Sequence, residues 1–385
     1  MSKRSILLIT SETIPAKAGD GRSAFFLSQE LGLHGVESSI LTLGNGTSGK
    51  ARGTKSNIIF TPYYPKSFLG KIISRILFAI NLLRHGVRFR VWIIYGGMLG
   101  NRIAIIFGFI FGRRVIFRST LWGFDNISTL EQKNPLNRLI YSLAWGYWAL
   151  NQSLADDYKR TTGGSRIMIS PQGVPDFFFS LPHKEKGILR KGLNLPEGIP
   201  IIISIGHIIG RKGFPEIFQW LALLNQPFLY LILGEHNPTP TDRMYSKREE
   251  MLCLYTQGQQ ILGEKIRFEG VRKNVQDYLY ASDIFLHGSL AEGFPNALSE
   301  ALACGLPSVV RRIEGVNELE LGEAGVRFFT NHLDLEHELN QLLTSTELRA
   351  ELGSQARGFA QANLKLCLVA SRLTCFALAQ PYGQQ

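Results

Sequence analysis

Short apolar runs alternate with helical segments through the second half of the chain, and this alternation restricts the fold more than any other feature. The pattern predicts strands at 201–205, 228–233, 266–268 and 283–286, with helices at 215–224, 247–262 and 275–281 between them. Such alternation is typical of βαβ units. Repeated units of this kind build a parallel sheet covered by helices on both faces. The second half is therefore predicted to form a doubly wound α/β domain.

The first residues open with the same pattern. A strand is predicted at 5–10, a loop at 11–21, a helix at 22–34 that ends before Gly35, and a strand at 37–43. A chain of 385 residues exceeds the roughly 250 to 300 residues that one core supports. We therefore expect an N-terminal domain at 1–182, a C-terminal domain at 183–363, and a final helix in 364–385 as the candidate to cross back to the first domain. Two such domains facing each other would form a cleft lined by strand carboxyl ends, where ligands of these sheets bind.

The positive charge of the chain belongs to its first half. Residues 1–180 contain 22 Lys or Arg and 9 Asp or Glu, a net charge of +13, whereas the remainder contains 20 and 22, a net charge of −2. No acidic residue occurs between Glu37 and Asp125. A surface of this kind favours an anionic partner. Nucleic acid is not expected, because no nucleic-acid-binding motif accompanies the charge.

Residues 66–84 combine basic side chains with apolar ones at helical spacing. This pattern fits a helix that lies on an anionic membrane surface, and it fits equally well an ordinary amphipathic helix that covers the sheet. The longest apolar run, 103–111, is about half of the ~20 residues that span a bilayer. The four cysteines include no close pair, which is typical of reduced thiols. We expect a cytoplasmic protein on the inner face of the membrane.

Residues 288–307 form the most specific segment. Pro295 suits the start of a helix and Gly305 the position after its end, which predicts a helix at 295–304. Glu292 then lies in the preceding loop, with Glu300 two turns along. The free N–H groups of residues 293–296 would face a ligand, and helix N-termini favour anions such as phosphate.

This segment resembles the donor-binding E-x7-E signature of the large retaining glycosyltransferase family with the GT-B fold, which includes many bacterial polysaccharide and lipopolysaccharide transferases. Residues 204–213 look like the loop that places basic side chains on the donor diphosphate, and residues 268–270 look like the base-binding turn. In the first half, residues 19–21 occupy the place of the family's glycine loop, and residues 170–174 resemble its short hinge-side motif. The resemblance implies an α/β protein of the GT-B class with two Rossmann-like domains.

The resemblance also implies roles for individual residues. Glu300 would bind the ribose hydroxyls and Glu292 the hydroxyls of the donor sugar, while Lys212 would stabilise the leaving diphosphate, which makes Glu292 and Lys212 the expected catalytic residues. The other expected donor-binding residues are Gly293, Phe294, Pro295, Asn296, Arg211, His207, Gly19, Gly21 and Arg272. We expect a UDP- or GDP-linked sugar as donor, no cofactor and no obligatory metal.

Two positions depart from the family pattern. Where the family usually has Arg five residues before the lysine, this chain has His207, so either Arg211 or a protonated His207 would have to contact the phosphates. Residues 118–125 lack the histidine that many relatives carry near the reacting sugar. We predict a retaining transferase that uses a lipid-linked or polysaccharide acceptor in bacterial cell-surface glycan synthesis. A soluble acceptor stays open, and the alternative class is an inactive relative that acts as a basic membrane or complex scaffold.

Overall fold

The computed structural model describes residues 4–11, 19–44, 48–50, 57–64, 67–96, 100–180, 185–240, 242–317 and 321–379. The chain divides into two compact units. Unit 1 comprises residues 1–173 and 366–385, and unit 2 comprises residues 174–365. The division at Gly173 falls nine residues before the predicted boundary at 182/183, which itself lies outside the described residues.

Unit 1 is built on an eight-stranded sheet in the order β3-β4-β2-β1-β5-β6-β7-β8, parallel except for the pairing of β3 with β4. The strands are β1 (Ser5–Thr10), β2 (Glu37–Leu43), β3 (Gly49–Lys50), β4 (Asn57–Thr61), β5 (Val91–Tyr95), β6 (Arg114–Arg118), β7 (Gly146–Ala149) and β8 (Ile167–Ile169). The α-helices are α1 (Gly19–Leu33), α2 (Phe68–His85), α3 (Asn101–Ile110), α4 (Ile127–Lys133), α5 (Leu136–Ser142), α6 (Gln152–Thr162) and, at the end of the chain, α14 (Leu366–Leu378).

Helices cover both faces of the unit 1 sheet. One face packs Ile6, Ile40 and Ile93 against apolar residues of α1 and α14. On the other face, Trp92 donates a hydrogen bond from its indole nitrogen to the Gly86 carbonyl at the end of α2. The helix of the last residues thus belongs to the core of the first unit, because α14 supplies one side of the apolar layer that a buried parallel sheet requires.

The predicted strands at 5–10 and 37–43 are confirmed at both ends. The predicted helix at 22–34 instead spans Gly19–Leu33, so Gly19 and Gly21 lie in its first turn and not in a loop. The glycine-rich composition of 19–21 suggested a turn, but Gly is tolerated in a helix at a cost of about 1 kcal/mol.

Unit 2 contains a six-stranded parallel sheet in the order β11-β10-β9-β12-β13-β14. The strands are β9 (Ile201–Ile205), β10 (Leu229–Leu233), β11 (Ile266–Gly270), β12 (Ile284–His287), β13 (Ser308–Arg311) and β14 (Val326–Phe329). The α-helices among the described residues are α7 (Lys186–Gly192), α8 (Phe214–Ala222), α9 (Arg248–Leu262), α10 (Val275–Ala281), α11 (Asn296–Ala303), α12 (His332–Thr344) and α13 (Thr346–Asn363).

The strand order of unit 2 is that of a Rossmann fold. From β9 the chain moves outward through β10 and β11, then returns to place β12 on the other side of β9. The point where the direction reverses lies between β9 and β12, and ligands of doubly wound sheets bind at the strand carboxyl ends there. The predicted βα alternation of this half is confirmed, with element ends that agree within two residues.

Candidate active site

Two loops meet at the switch point of unit 2. The loop after β9 carries a short 3-10 turn at Gly210–Lys212, and the loop after β12 leads to α11. Gly213 ends the turn with a φ of +76°, and a Cβ at this position would lie 2.0 Å from the Gly288 carbonyl oxygen. Gly213 therefore lets the two backbones approach each other in a way that a side chain would prevent.

Charged groups from both loops converge on one carboxylate. Glu292 Oε1 lies 2.6 Å from Lys212 Nζ and 3.2 Å from Arg211 Nη1. Ser289 Oγ donates a hydrogen bond of 2.9 Å to the same oxygen. The structure thus brings together the two residues predicted to be catalytic, with Arg211 beside them. We call Glu292, Lys212, Arg211 and Ser289 the ion cluster.

Burial and charge act in opposite directions on Glu292. Burial alone would raise the pKa of this carboxyl, but Lys212 and Arg211 outweigh the burial and lower the pKa to about 2. His287 Nε2 lies 3.9 Å from the Glu292 carboxylate. Burial, with help from Lys212, lowers the pKa of His287 to about 3. At neutral pH the carboxylate is therefore ionised and the imidazole is uncharged.

Helix α11 begins directly after the loop that carries Glu292. It spans Asn296–Ala303, one residue shorter at each end than predicted, and Gly305 follows with a φ of +77°. Glu300 is buried, and it is the fifth residue of the helix, so it lies about one turn along and not two. The residues between Glu292 and the helix, Gly293, Phe294 and Pro295, are buried. The N-terminus of α11, where Asn296 is the first helical residue, thus opens next to the ion cluster.

The loop after β9 contains both residues that could replace the family's arginine. His207 lies two residues after β9 and accepts a backbone hydrogen bond from Ile209. Arg211 also donates a 2.7 Å hydrogen bond to the Ala291 carbonyl, which directs its guanidinium toward the Glu292 loop. Arg211 is therefore held beside the Glu292 carboxylate.

The predicted base-binding turn lies at the end of β11, the edge strand. Arg272, expected to bind the donor, is half exposed and makes a 2.6 Å ion pair with the buried Glu269. Glu269 also accepts a hydrogen bond from Tyr278 and pairs with Arg267. Arg272 is thus held at the turn, two strands away from β9, and it is not a member of the ion cluster.

Gly19 and Gly21 lie in unit 1, at the start of α1. Asp20 accepts a 2.8 Å hydrogen bond from Ser11, the residue after β1. The two glycines therefore lie in the first turn of α1, close to the carboxyl end of a central strand.

Sequence reasoning overlooked the groups that support Glu292. Ser289 and His287 lie beside the motif in the sequence. The Ser289 hydroxyl, three residues before the Glu292 carboxylate, could have been predicted to donate a hydrogen bond to it. Arg311 could not have been found in this way. Its Nε donates to the Gly288 carbonyl at 3.0 Å from the end of β13, and its guanidinium lies over the Trp220 ring.

A second feature lies on α2 of unit 1. This helix buries Gly70, Ser74, Phe78 and Leu82, and it leaves a parallel stripe of Leu69, Ile73, Ile76, Ile80 and Leu83 exposed to solvent. Ile76 is 54% exposed and Ile80 is 51% exposed. The exposed Arg84 lies beside the stripe, whereas the exposed Lys71 and Arg75 lie about 120° to 160° around the helix from its centre. One side of the helix thus covers the sheet, and another side leaves apolar side chains exposed.

Further apolar side chains are exposed on neighbouring helices of unit 1. Phe109 and Ile110 end α3, and Leu136 and Leu139 lie on α5; all four are more than half exposed. Across the residues that the structure describes, no helix is both long and apolar enough to cross a bilayer.

Comparisons with known proteins relate the second half of the chain to one enzyme family. Residues 185–359 match the sequence model of the family described as glycosyl transferases group 1. The chain is 26% identical, over 58% of its length, to an N,N'-diacetylbacillosaminyl-diphospho-undecaprenol alpha-1,3-N-acetylgalactosaminyltransferase of Campylobacter jejuni. It is 25% identical, over 54% of its length, to the lipopolysaccharide glucosyltransferase WaaG of Escherichia coli. The matched segments span 57% and 56% of these two relatives.

The fold has close counterparts among solved structures. A sucrose-phosphate synthase from Thermosynechococcus elongatus superposes with a TM-score of 0.77 over 96% of this chain and 98% of the other, at 16% sequence identity. This likeness establishes the architecture of two Rossmann-like units. The family match covers residues 185–359, less than half of the chain, so it shows that unit 2 resembles the group 1 glycosyl transferases.

Proposed function

We propose that this protein is a retaining glycosyltransferase that moves a sugar from a nucleoside diphosphate donor to a lipid-linked or polysaccharide acceptor in bacterial cell-surface glycan synthesis. The observation that carries the proposal is the ion cluster at the switch point of unit 2. One buried carboxylate, Glu292, holds Lys212 and Arg211 beside the N-terminus of α11. Two cations and a helix N-terminus form a site suited to a diphosphate.

The proposed chemistry is electrostatic. The bond between the anomeric carbon and the donor diphosphate breaks, the acceptor hydroxyl oxygen bonds to that carbon with the original configuration, and the hydroxyl proton leaves with the diphosphate. Lys212 and Arg211 stabilise the negative charge that grows on the leaving phosphate, and preorganised charges of this kind contribute the largest share of many rate accelerations. They can do this without an obligatory metal.

The acidic residues have separate tasks in this proposal. Glu292 is ionised at neutral pH because its pKa is about 2, so it accepts hydrogen bonds from donor sugar hydroxyls while it keeps both cations in place. Glu300, one turn along α11, accepts hydrogen bonds from the ribose. Neither residue is required to act as a nucleophile.

The acceptor assignment is supported by the exposed surface of unit 1. The Campylobacter jejuni relative bears a name that specifies an undecaprenol-linked substrate, and an enzyme with such a substrate works at a membrane. We propose that the apolar stripe on α2, with Arg84 beside it, rests on the anionic inner face of the membrane. Apolar burial and attraction to anionic lipids both contribute to binding of this type.

A panel of nucleotide sugars tests the donor assignment. The melting temperature of the wild type in EDTA should rise with one donor, since a ligand at 100 times its dissociation constant adds about 2.7 kcal/mol. Lys212→Ala and Glu300→Ala should lose the shift, whereas Lys191→Ala, an exposed lysine of α7, should keep it. If every donor leaves the wild type unchanged while anionic vesicles still bind, the protein is the inactive scaffold.

Turnover and stereochemistry need a separate measurement. Incubation with the identified donor and a lipid-diphosphate acceptor should give a product whose anomeric configuration, read by NMR, matches the donor. Inversion would contradict the retaining mechanism. Equal rates with a soluble acceptor and no lipid would contradict the membrane assignment.

A further inference from the structure

A small cavity adjoins the ion cluster at the switch point of unit 2. It offers about 10 Å³ to the centre of a water molecule, close to the roughly 10 to 15 Å³ that one internal water requires. Residues of β9, β10 and β12 line the cavity together with two members of the ion cluster, Lys212 and Ser289. The cavity therefore has room for a single water molecule beside the cluster.

His287, the last residue of β12, lines this cavity and is 4% exposed. Its Nε2 atom is buried and has no hydrogen-bond partner among the residues that the structure describes. Glu292 Oε1 is 3.9 Å from this atom, which is too far for a hydrogen bond, and it already accepts from Lys212, Arg211 and Ser289. Because a buried polar nitrogen without a partner costs free energy, the adjoining cavity is the place from which a partner can come.

The other polar groups of the lining can hold a water molecule in this cavity. Tyr230 donates a 2.8 Å hydrogen bond to Ser204 Oγ, and Ser204 donates a 2.6 Å hydrogen bond to the Leu286 carbonyl. Each hydroxyl proton is thereby committed, so either oxygen can only accept a further hydrogen bond. Lys212 has three ammonium protons, of which one goes to Glu292. A water can therefore accept from the lysine and donate to a hydroxyl oxygen.

The charge of His287 decides what its ring offers to this water. Burial, with help from Lys212, lowers the pKa of His287 to about 3, so the ring is neutral at pH 7 and one of its nitrogens accepts a hydrogen bond. With Nε2 as that acceptor, the water makes three hydrogen bonds: to Lys212, to the hydroxyl pair and to His287. About three is the usual number for an internal water.

We infer that His287 is a positioning residue that, through one water in this cavity, holds the Lys212 ammonium in place for the leaving diphosphate. This inference rests on the proposed function, because it needs a diphosphate at the ion cluster. Lys212 already makes a 2.6 Å contact with Glu292, and the water adds a second hydrogen bond to the same ammonium. A charge that is held in position before the reaction costs no reorganisation when the phosphate leaves.

Steady-state kinetics and donor titrations on the full chain test this role. His287→Leu removes the ring nitrogen and should lower kcat about 10- to 100-fold, since a displacement of about 1 Å can cost about 100-fold, while the dissociation constant of the donor should change much less. His287→Gln, whose amide can bond to the same water, should restore most of kcat. Urea denaturation checks that both variants are folded. His337→Leu, at an exposed position of α12, is the matched control.

A high-resolution crystal structure of the wild type without donor tests the water directly. One water should lie within hydrogen-bonding distance of both His287 Nε2 and Lys212 Nζ. A cavity without this water, an unchanged kcat in His287→Leu, or an equal loss of kcat in His287→Gln would each show that the inference is wrong, while the proposed function stands as long as the wild type transfers a sugar. If the wild type transfers no sugar, the proposed function fails and the role of His287 fails with it.

Discussion

The two units share a doubly wound sheet but use their surfaces in opposite ways. Unit 2 concentrates its charges at one point, where Glu292 is buried against Lys212 and Arg211. Unit 1 distributes an excess of positive charge over a surface that also exposes an apolar stripe on α2. Buried, paired charges give a defined geometry, whereas exposed basic and apolar groups suit a broad anionic surface. Under the proposed function, unit 2 carries the chemistry and unit 1 the contact with the membrane.

Removing one charge from the ion cluster should have the largest effect. Lys212→Ala removes the main stabilisation of the leaving diphosphate, so we expect kcat to fall about 100- to 1,000-fold. Steady-state kinetics with the identified donor measure this change. The matched variant is Lys71→Ala on α2, which removes a lysine from unit 1. Lys71→Ala should leave kcat with a soluble acceptor analogue unchanged. Equal losses of kcat in the two variants would contradict the assignment of catalysis to unit 2 alone.

Two glycines with positive φ, one in each unit, allow the packing around the backbone to be compared between the units. Gly213 in unit 2 has a φ of +76° and lies against Gly288, whereas Gly163 in unit 1, at the end of α6, has a φ of +69° and nothing within 4 Å of the place that a Cβ would take. Gly213→Ala adds a clash to the backbone strain and should cost about 3 kcal/mol or more. Gly163→Ala should cost about 1 kcal/mol, from strain alone.

Urea denaturation of both variants measures these costs. Donor binding should also disappear in Gly213→Ala, because the loops that carry Lys212 and Glu292 would separate. Equal destabilisation by the two substitutions would show that the close approach of Gly213 to Gly288 does not add to the cost of the Gly213 substitution.

Much of unit 2 could be predicted from the sequence because its signals are local. The strand at Ile201–Ile205 and the helix at Val275–Ala281 agree with their predicted ends, since apolar runs and turn residues mark them directly. The resemblance to the glycosyltransferase family also implied that Glu292 and Lys212 belong to one site. Their 2.6 Å contact joins residues 80 positions apart, and only the strand order of the sheet brings them together.

The remaining features depend on packing that no local pattern encodes. Helix α2 was predicted from its periodicity, but whether its second apolar stripe is covered depends on what packs against it. The early start of α1 at Gly19 has a similar cause, because tertiary packing overrides the weak helix propensity of glycine. The support of Gly288 by Arg311 crosses from one strand to the next and has no sequence signature.

A negative charge placed in the α2 stripe should have a smaller effect than the changes in unit 2. Ile76→Glu removes an exposed apolar side chain and adds a negative charge, so we expect about tenfold weaker binding to vesicles that contain anionic lipid. Leu223→Glu in unit 2, where the leucine is 55% exposed, is the control and should bind like the wild type. Sedimentation with vesicles measures both, and equal losses would show that the whole surface, and not α2, determines binding.

The smallest expected effect is a difference in pH response between the units. Burial and the nearby Arg84 and Arg88 lower the pKa of His85, at the end of α2, below 6.5. His85 is therefore neutral at pH 7 and gains its charge only as the pH falls through this lowered value. One added charge near an anionic membrane is worth about 1 kcal/mol, so vesicle binding should strengthen about fivefold as the pH falls through this lowered pKa.

Nucleotide binding should not follow the same pH response. His287 has a pKa of about 3 and Glu292 of about 2, so neither changes its charge between pH 5 and pH 8. His85→Gln should abolish the pH dependence of vesicle binding and leave nucleotide binding as it was, which parallel titrations with vesicles and with the donor can measure. A vesicle response that persists in His85→Gln would assign it to another group of unit 1. A donor affinity that changes between pH 5 and pH 8 would instead mean that the ion cluster takes up a proton when the donor binds. The predicted difference in pH response between the two units would then be wrong.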